Sequence, residues 1–361
     1  MKLAAFVRSL VETETVPGIC ILVGQKGDIL HSSRHGFRSL LPAREPLEQG
    51  AIYDLASITK PLVTAFLTVH LKEKAGLDLH SPVTSLFPEF PWPITWMHLL
   101  THTSGLPAWH PFYLFTREDF PDIGQFSRLH PLYPPGKTVV YSCVGYMLLR
   151  LLIEKVTGQE FKKTAQDVIF DRLGLENTFL SVPAARVAQT APTERGNVHE
   201  RQMCRRQFGL QADAFTWRET IIRGQVHDAN SFYFGGCAGN AGLFSTAEDL
   251  FSLSKEFFPE TATILSPECI RLFWTDFGGT GLSRRTVGFK RNSAFLSSGG
   301  RALSRQSIGH NGFTGTSIWL EPRSQMAWIL LSNRIHPVVQ PVSFNRIRRK
   351  IHHLLRRELG H

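Results

Sequence analysis

Apolar residues recur along the chain at spacings that predict strands near both ends and helices between them. Between residues 3 and 10 they repeat at helical spacing, which predicts an amphipathic first helix. The continuous apolar run 18–23 predicts a buried strand, and the turn residues 26–28 predict a second strand that runs back beside it. Strand character returns in the runs 317–320 and 326–331. This pattern predicts one sheet assembled from both ends of the chain.

The middle of the chain predicts helices separated by loops rich in proline and glycine. Four segments carry the helical pattern, namely 57–75, 144–157, 160–171 and 247–258. The segment 187–245 has no regular period and predicts irregular structure, which in a compact protein is often functional. A last helical stripe predicts a terminal helix, and it consists of Phe344, Ile347, Ile351, Leu354 and Leu355.

This order of elements predicts an α/β fold of the α+β kind, in which N- and C-terminal helices flank a sheet and a mostly helical domain is inserted. We expect residues 1–56 and 281–361 to form a discontinuous α/β domain and residues 57–280 to form the mainly helical domain. The chain has 361 residues, enough for one large domain or two ordinary ones. No glycine- and serine-rich linker separates the two parts, so we expect them to pack tightly.

Basic residues outnumber acidic ones and give a formal net charge of +10. Such a surface can attract nucleic acid, anionic lipid or an anionic substrate. Much of the excess lies between residues 346 and 357, where the simplest interpretation places the apolar stripe on the core and the arginines in water. Nucleic-acid binding is the alternative interpretation. No basic patch interleaved with aromatic residues supports it, so we expect no nucleic-acid partner.

Three features bear on where the protein acts. No apolar run approaches the ~20 residues that a membrane span requires. Arg8, Glu12 and Glu14 interrupt the N-terminal apolar stretch, unlike the h-region of a signal peptide. The five cysteines are scattered and form no CxxC pair, which favours free thiols in a reducing compartment. We therefore expect a cytoplasmic protein, and the sequence leaves its oligomeric state open.

The candidate chemistry begins with Ser57 and Lys60, at the start of the predicted helix 57–75. Residues three apart share a helix face, so a base stands near an alcohol that is a poor nucleophile on its own. The free N–H groups of a helix start also favour developing negative charge. The same spacing recurs at Ser252 and Lys255, in the middle of a predicted helix. Corroboration for Ser57 must therefore come from elsewhere in the chain.

Two further clusters supply it. Tyr141 follows a short extended run before the predicted helix 144–157, and His310 stands before the predicted strand 317–320. Taken in order, Ser57-x-x-Lys60, Tyr141-Ser142-Cys143 and His310-Asn311-Gly312 resemble the three motifs of the penicillin-recognising serine hydrolases. The nearest branch contains class C β-lactamases and penicillin-binding-protein-4B-like esterases and amidases. Its loops are also matched, at 98–107, 133–136 and 242–246, and the resemblance spans roughly residues 1–335.

The resemblance implies a β-lactamase/transpeptidase-like fold with an antiparallel sheet and an active site between the two domains. It implies that Ser57 attacks the substrate carbonyl and that Lys60 and Tyr141 handle its proton. Each would need a pKa near 7, against ordinary values of about 10. The backbone N–H groups of Ser57 and Phe313 would form the oxyanion hole. The implied substrate-binding residues are His310, Asn311, Gly312, Cys143, His227 and Asp228, although a structural loop clamp is an equal alternative for His227 and Asp228.

Two residues depart from the family pattern. Cys143 stands where Asn is usual, and a thiol is a weaker donor and acceptor than an amide, so β-lactam and peptide substrates are less well supported. His310 stands where Lys is usual, which makes a permanent positive charge conditional. We expect a serine hydrolase that forms an acyl-enzyme on Ser57 and hydrolyses small amides or esters, with cell-wall muropeptide fragments as candidates. The alternatives are a catalytically silent ligand-binding relative, or a carboxylesterase or weak β-lactamase.

No cofactor or metal is expected. His98 and His102 are four residues apart, but a zinc-protease helix requires Glu where this chain has Leu99. No GxxxxGK[ST] nucleotide loop is present either.

Overall fold

The computed structural model describes residues 2–116, 120–278 and 284–360. A seven-stranded antiparallel sheet has the order β3-β2-β1-β9-β8-β7-β6, and β4 pairs with β5 in a separate two-stranded sheet. The strands are β1 (Gly18–Gln25), β2 (Asp28–Ser39), β3 (Glu45–Pro46), β4 (Tyr53–Asp54), β5 (Phe244–Ser245), β6 (Lys290–Arg291), β7 (Ile308–Asn311), β8 (Ser317–Glu321) and β9 (Met326–Ser332).

The α-helices lie mostly between β4 and β6. They are α1 (Leu3–Glu12), α2 (Phe66–Ala75), α3 (Trp96–Leu100), α4 (Ile123–Ser127), α5 (Cys143–Thr157), α6 (Phe161–Ala165), α7 (Asp171–Leu173), α8 (Val198–Phe208), α9 (Leu210–Asp213), α10 (Ala229–Tyr233), α11 (Ala247–Ser254), α12 (Pro267–Trp274) and α13 (Phe344–Glu358). A π-helical segment, Lys60–Ala65, leads directly into α2.

The central strands join the two ends of the chain. In β1, every residue but the last is buried, and in β9 all are buried, since both faces of the sheet are covered. On one face, the apolar sides of α1 and α13 pack against the sheet, with Val7 and Ile351 fully buried. On the other face, the sheet packs against the helical part of the chain. Each buried aliphatic side chain contributes roughly 1.5–3 kcal/mol, so the terminal helices are integral to the core.

The predicted fold class is confirmed, but one local expectation is wrong. The segment 187–245 is predicted to be irregular, but it contains helix α8. The sequence of α8, VHERQMCRRQF, has no apolar stripe, and its buried residues are Glu200 and Cys204. His310 precedes the strand predicted at 317–320, as expected, and is itself part of strand β7, where it pairs with Ile318 of β8. The division into two domains stays a prediction, and its boundary at 280–281 lies outside the described residues.

Within the described ranges, no helix is long and apolar enough to cross a membrane. All five cysteines are free.

Candidate active site

Ser57 lies on a tight turn that follows β4 (Tyr53–Asp54). Ala56 adopts a φ of +47°, a left-handed conformation that costs energy for a residue with a side chain. The buried carboxylate of Asp54 supports this turn: one oxygen accepts the Ala56 N–H at 2.8 Å, and the other accepts the His227 N–H at 2.7 Å. A single 3₁₀ turn, Ala56–Ile58, then carries Ser57. The strained backbone presents the serine hydroxyl at the surface of a cleft.

Lys60 is fully buried beneath Ser57. Its ammonium donates to Ser57 Oγ at 3.0 Å and to the backbone oxygen of Asn240 at 2.9 Å. The expected sharing of one face by these two residues is therefore realised, here by a 3₁₀ turn that runs into a π-helical segment. Asn240 belongs to a distant part of the sequence, and its carbonyl fixes the lysine by a backbone contact.

Tyr141 lies within hydrogen-bonding range of both Ser57 and Lys60. It precedes α5, whose N-terminus is capped by Ser142 through a hydrogen bond from the Gly145 N–H at 3.0 Å. The Tyr141 ring lies 5.0 Å from Lys60 Nζ and 4.6 Å from the ring of the buried His102. The structure thus brings the serine, the lysine and the tyrosine together from separate parts of the chain.

Neither candidate base has a lowered pKa. Burial opposes the charge of Lys60, but Cys143 and Tyr141, which attract the ammonium when they ionise, the hydrogen bond with Tyr141 and the charge of Asp228 outweigh burial and raise the pKa of Lys60. Burial also raises the pKa of Tyr141, although the Lys60 cation and hydrogen bonding with Lys60 and Ser57 act in the opposite direction. The resting site therefore holds an ammonium and a neutral phenol. Neither group has the near-neutral pKa expected for a base.

The third motif brings strand β7 (Ile308–Asn311) alongside the Ser57 turn. His310 is buried, and this burial, together with the charges of Lys60 and Arg285, holds its pKa well below the usual value, so it is uncharged. At Gly312 a Cβ atom would lie 2.5 Å from the Leu55 oxygen, so only glycine permits this approach. Nearby, Thr314 Oγ1 donates to the backbone carbonyl oxygen of Asp54 at 2.7 Å. These contacts fix the spacing between the third motif and the serine.

The backbone N–H groups of Ser57 and Phe313 have no hydrogen-bond acceptor among the described residues. The Phe313 side chain is 38% exposed and is stacked at 5.5 Å on the ring of His227. His227 itself is buried, and its Nε2 lies 2.8 Å from an oxygen of Glu194. His227 does not line the cleft, contrary to one sequence expectation, because it faces Glu194 and packs beneath Phe313.

The cleft has a volume of about 620 Å³. Its lining includes the predicted residues Ser57, Tyr141, Cys143, Asp228, His310, Asn311, Gly312 and Phe313. Asp228 accepts a hydrogen bond from the Asn240 amide at 3.2 Å and caps α10 through the Ser231 N–H at 2.8 Å. Burial raises the pKa of Cys143, so its thiol is uncharged. The expected residues other than His227 and the buried Lys60 thus meet in one cleft.

Sequence reasoning missed four basic residues of the cleft. Arg348 of α13 is buried, not solvated as the helical stripe suggested, and it donates to the backbone oxygens of Gly312 and Thr316 at 3.1 and 2.7 Å. Arg285, Lys290 and Arg334 also line the cleft, and Arg334 Nε donates to the backbone oxygen of Phe313 at 3.1 Å. Arg348 follows the apolar position 347 by one residue, which could have signalled that it lies near the buried edge of the helix. No comparable signal marked Arg285 or Lys290.

Comparison with known proteins agrees with this geometry. A model described as Beta-lactamase matches residues 3–351. The chain belongs to the Beta-lactamase family. It is 30% identical over 362 residues to a putative D-alanyl-D-alanine carboxypeptidase of Escherichia coli O157:H7, an alignment that covers 90% of this chain and 80% of the relative. It is 28% identical over 359 residues to an N-acetylmuramyl-L-alanine amidase of Bacillus subtilis (strain 168), with 90% and 79% covered.

Solved structures support the fold. EstCE1, a hydrolase with promiscuous acyltransferase activity, superposes with a TM-score of 0.75 at 16% identity, over 98% of this chain and 97% of that one. A class C beta lactamase from Rhodobacter sphaeroides gives a TM-score of 0.72 at 20% identity, over 99% of both chains. The family resemblance, the fold class and the assignment as a serine hydrolase of this family are confirmed.

Proposed function

We propose that this protein hydrolyses small amides or esters through an acyl-enzyme on Ser57, and that muropeptide fragments of the cell wall are its substrates. The observation that carries the proposal is the 3.0 Å contact between Ser57 Oγ and the buried Lys60 ammonium, at the floor of a cleft that Tyr141 also lines. An alcohol held between an amine and a phenol has the groups that serine acylation requires.

In the proposed acylation, Tyr141 acts as the base and Lys60 remains an ammonium ion. The Lys60 charge favours the phenolate, while burial opposes it, so the reactive form is a minority at neutral pH. Ser57 Oγ bonds to the substrate carbonyl carbon as its proton passes to Tyr141. That proton then goes to the departing amine or alcohol when the carbonyl–leaving-group bond breaks. Positioned proton transfer of this kind contributes typically 10²–10⁴-fold to the rate.

The oxyanion of the tetrahedral intermediate would lie between the N–H groups of Ser57 and Phe313. Each such donor is worth roughly 2.7–4 kcal/mol in the transition state. Two hydrogen bonds hold the residues that precede these N–H groups. The Asp54 carboxylate accepts the Ala56 N–H, and Arg348 donates to the carbonyl oxygen of Gly312. In deacylation, a water loses its proton to Tyr141 and attacks the acyl carbon, and Ser57 regains its proton as the ester bond breaks.

Two sources support the substrate class. The relatives named as a D-alanyl-D-alanine carboxypeptidase and an N-acetylmuramyl-L-alanine amidase both act, by name, on amide bonds of cell-wall chemistry. The cleft of about 620 Å³ suits a small ligand.

A substrate panel tests the proposal. It compares p-nitrophenyl esters, nitrocefin and N-acetylmuramoyl-L-alanyl peptides, using the wild type and Ser57→Ala. We expect turnover of an ester or a muramoyl peptide that Ser57→Ala loses. Turnover that persists in Ser57→Ala, or a folded wild type that turns over no member of the panel, would contradict the proposal.

We also propose that the protein acts in the cytoplasm. The five unpaired cysteines support a reducing compartment. Fractionation of cells that express the native gene should place the protein with cytoplasmic markers, and recovery with an extracytoplasmic fraction would contradict this proposal.

A further inference from the structure

Two basic side chains, Arg285 and Lys290, lie directly opposite each other on a short hairpin at the edge of the sheet. They form an antiparallel bridge, and the hairpin closes with Thr286 N–H donating to the Phe289 oxygen at 3.1 Å. Residues opposite each other in such a bridge project from the same face, with Cβ atoms about 4.5–5.5 Å apart. Two like charges in this arrangement destabilise the pair.

In the part of the chain that the structure describes, neither side chain has a partner of opposite charge. Among the described residues, no salt bridge or side-chain hydrogen bond involves Arg285 or Lys290, and Arg285 Nε is buried without a hydrogen bond. Their recorded side-chain contacts are with aromatic rings: Arg285 Cζ lies 5.6 Å from the Tyr141 ring, and Lys290 Nζ lies 5.6 Å from the Trp319 ring. By contrast, the neighbouring Arg284 pairs with Asp276.

The other charged groups of the cleft do not neutralise this pair. Lys290 faces Arg285 on its own hairpin, Arg348 of α13 and the uncharged His310 of β7. Burial, reinforced by the charges of Arg285 and Arg348, lowers the pKa of Lys290 to about 7. The acidic residue of the cleft lining, Asp228, already accepts hydrogen bonds from Asn240 and Ser231.

Arg348 differs in its terminal nitrogens, although its Nε, like that of Arg285, is buried without a hydrogen bond among the described residues. Its two terminal nitrogens donate to the backbone oxygens of Gly312 and Thr316 and to the Asn345 side chain at 2.9 Å. It therefore positions the turn after β7. Arg285 and Lys290 line the cleft, and within the described ranges their side-chain donors have no acceptor.

We propose that Arg285 and Lys290 form a subsite that binds an oxyanion of the substrate, a carboxylate or a phosphate group. Such a group would place negative charge between two uncompensated cations and accept charge-assisted hydrogen bonds from both. The inference rests on the proposed function, because it names a chemical group that the hydrolysed substrate carries close to Ser57 and Tyr141.

The subsite has a pH dependence of defined sign. Lys290 is charged below pH 7 and loses its charge as the pH rises through about 7. Anion binding is therefore stronger at pH 6 than at pH 8.5. Sulfate is a suitable stand-in for a phosphate group because its charge is constant over this range, and acetate stands in for a carboxylate.

Calorimetric titration with sulfate and with acetate tests the proposal. The variants are Lys290→Met, Lys290→Arg and the control Lys350→Met, which removes an exposed lysine of α13. We expect wild type and Lys350→Met to bind one of the two anions at pH 6, and Lys290→Met to bind it about tenfold more weakly, as loss of one charged hydrogen bond predicts. Lys290→Arg should bind equally at pH 6 and pH 8.5. Tighter binding of sulfate assigns a phosphate group, and tighter binding of acetate assigns a carboxylate.

Equal anion affinity of Lys290→Met and wild type, or no anion binding by wild type at pH 6, would overturn the subsite. Ser57→Ala separates this outcome from failure of the proposed function. Anion binding that depends on Lys290 in Ser57→Ala, with no hydrolysis by wild type, retains the subsite and refutes the proposed function. Hydrolysis by wild type, with KM unchanged in Lys290→Met for a neutral, a carboxylate-bearing and a phosphate-bearing p-nitrophenyl ester alike, refutes the subsite alone.

Discussion

The Ser-x-x-Lys spacing occurs in two places that differ in hydrogen bonding, in burial of the lysine and in local backbone structure. At residues 57–60 the hydroxyl and the ammonium are 3.0 Å apart, and the lysine is fully buried. At residues 252–255 the serine lies within α11, and the lysine begins a 3₁₀ turn and lies over the Phe251 ring at 5.4 Å. No hydrogen bond joins Ser252 to Lys255 in the part of the chain that the structure describes.

The difference shows that spacing supplies only a shared helix face. What distinguishes the first site is the strained turn at Ala56, which presents Ser57 to the cleft, and the Asn240 carbonyl, which holds Lys60 inward. The second site lies on a regular helix, where the long aliphatic part of Lys255 allows its ammonium group to extend into solvent. The same residue types therefore lead to different chemical expectations.

The largest expected effect comes from removing each serine in turn. Ser57→Ala should lower kcat/KM by roughly 10⁴-fold or more, as loss of a covalent nucleophile does. Ser252→Ala should leave kcat/KM within about twofold, because surface helix substitutions rarely act at a distance. Steady-state kinetics on the best ester of the panel measures both, and an equal loss in the two variants would remove the distinction between the sites.

Replacing each lysine should give the next largest contrast. Lys60→Met should lower kcat/KM by roughly 10²–10⁴-fold, because the cation that favours the Tyr141 phenolate is lost. Lys255→Met should leave activity unchanged. Circular dichroism must show that both variants fold. A folded Lys60→Met variant with wild-type kcat/KM would mean that the buried ammonium has no role in proton transfer.

The pH profile tests whether the raised pKa of Tyr141 matters. A base acts only when deprotonated, so a raised pKa moves the rising limb of kcat/KM to higher pH. With a neutral ester, kcat/KM should still rise above pH 8, at up to tenfold per pH unit. Measurements between pH 6 and pH 10 check this. A plateau already reached at pH 6 would show that the base is deprotonated at neutral pH.

Asp54→Asn should weaken the turn that carries Ser57. One of the two buried backbone N–H groups, of Ala56 or of His227, would then face the amide NH₂ and lose its acceptor, at a cost of roughly 1–3 kcal/mol in the free energy of unfolding. Asp249→Asn, near the second serine, is the matched control, because Asp249 also accepts a backbone N–H, that of Asn177. Both variants should unfold at lower denaturant concentration, but only Asp54→Asn should also lower kcat. Equal kcat in the two variants would show that Asp54 contributes to folding stability and has no effect on the Ser57 site.

The smallest expected effect concerns Cys143. Cys143→Asn restores an amide donor and acceptor in the cleft, and it should raise the turnover of nitrocefin by about tenfold, the scale of one hydrogen bond in binding. Ester turnover should change less. Cys204→Asn is a poor control because Cys204 is fully buried, so Cys143→Ala serves instead. Equal nitrocefin rates in the Asn and Ala variants would show that the amide has no effect.

The outline of the fold could be predicted because both ends of the chain carry strong periodic patterns. The strand run 18–23 and the stripe on α13 follow directly from burial of one face. Helix α8 could not be predicted, since it buries Glu200 and Cys204 and has no apolar stripe. Tertiary contacts, here the hydrogen bond from Tyr113 to Glu200 at 2.9 Å, hold this helix in place.

The candidate site divides in the same way. Local spacing places Ser57 beside Lys60, and the ordered motifs point to Tyr141 and His310. The Asn240 carbonyl could not be predicted, because a backbone acceptor leaves no mark on residue type. The pairing of Arg285 with Lys290 could not be predicted, because the hairpin is short and its two buried apolar residues, Val287 and Phe289, do not reveal which basic residues lie opposite each other.

Covalent labelling tests the central claim most directly. Wild type, Ser57→Ala and Ser252→Ala would be treated with a fluorophosphonate or a fluorescent penicillin, and the adduct located by peptide mass spectrometry. We expect one adduct on Ser57 in wild type and in Ser252→Ala, and none in Ser57→Ala. An adduct that stays in Ser57→Ala, or a folded wild type that takes up neither reagent at Ser57 at any pH, would contradict the account.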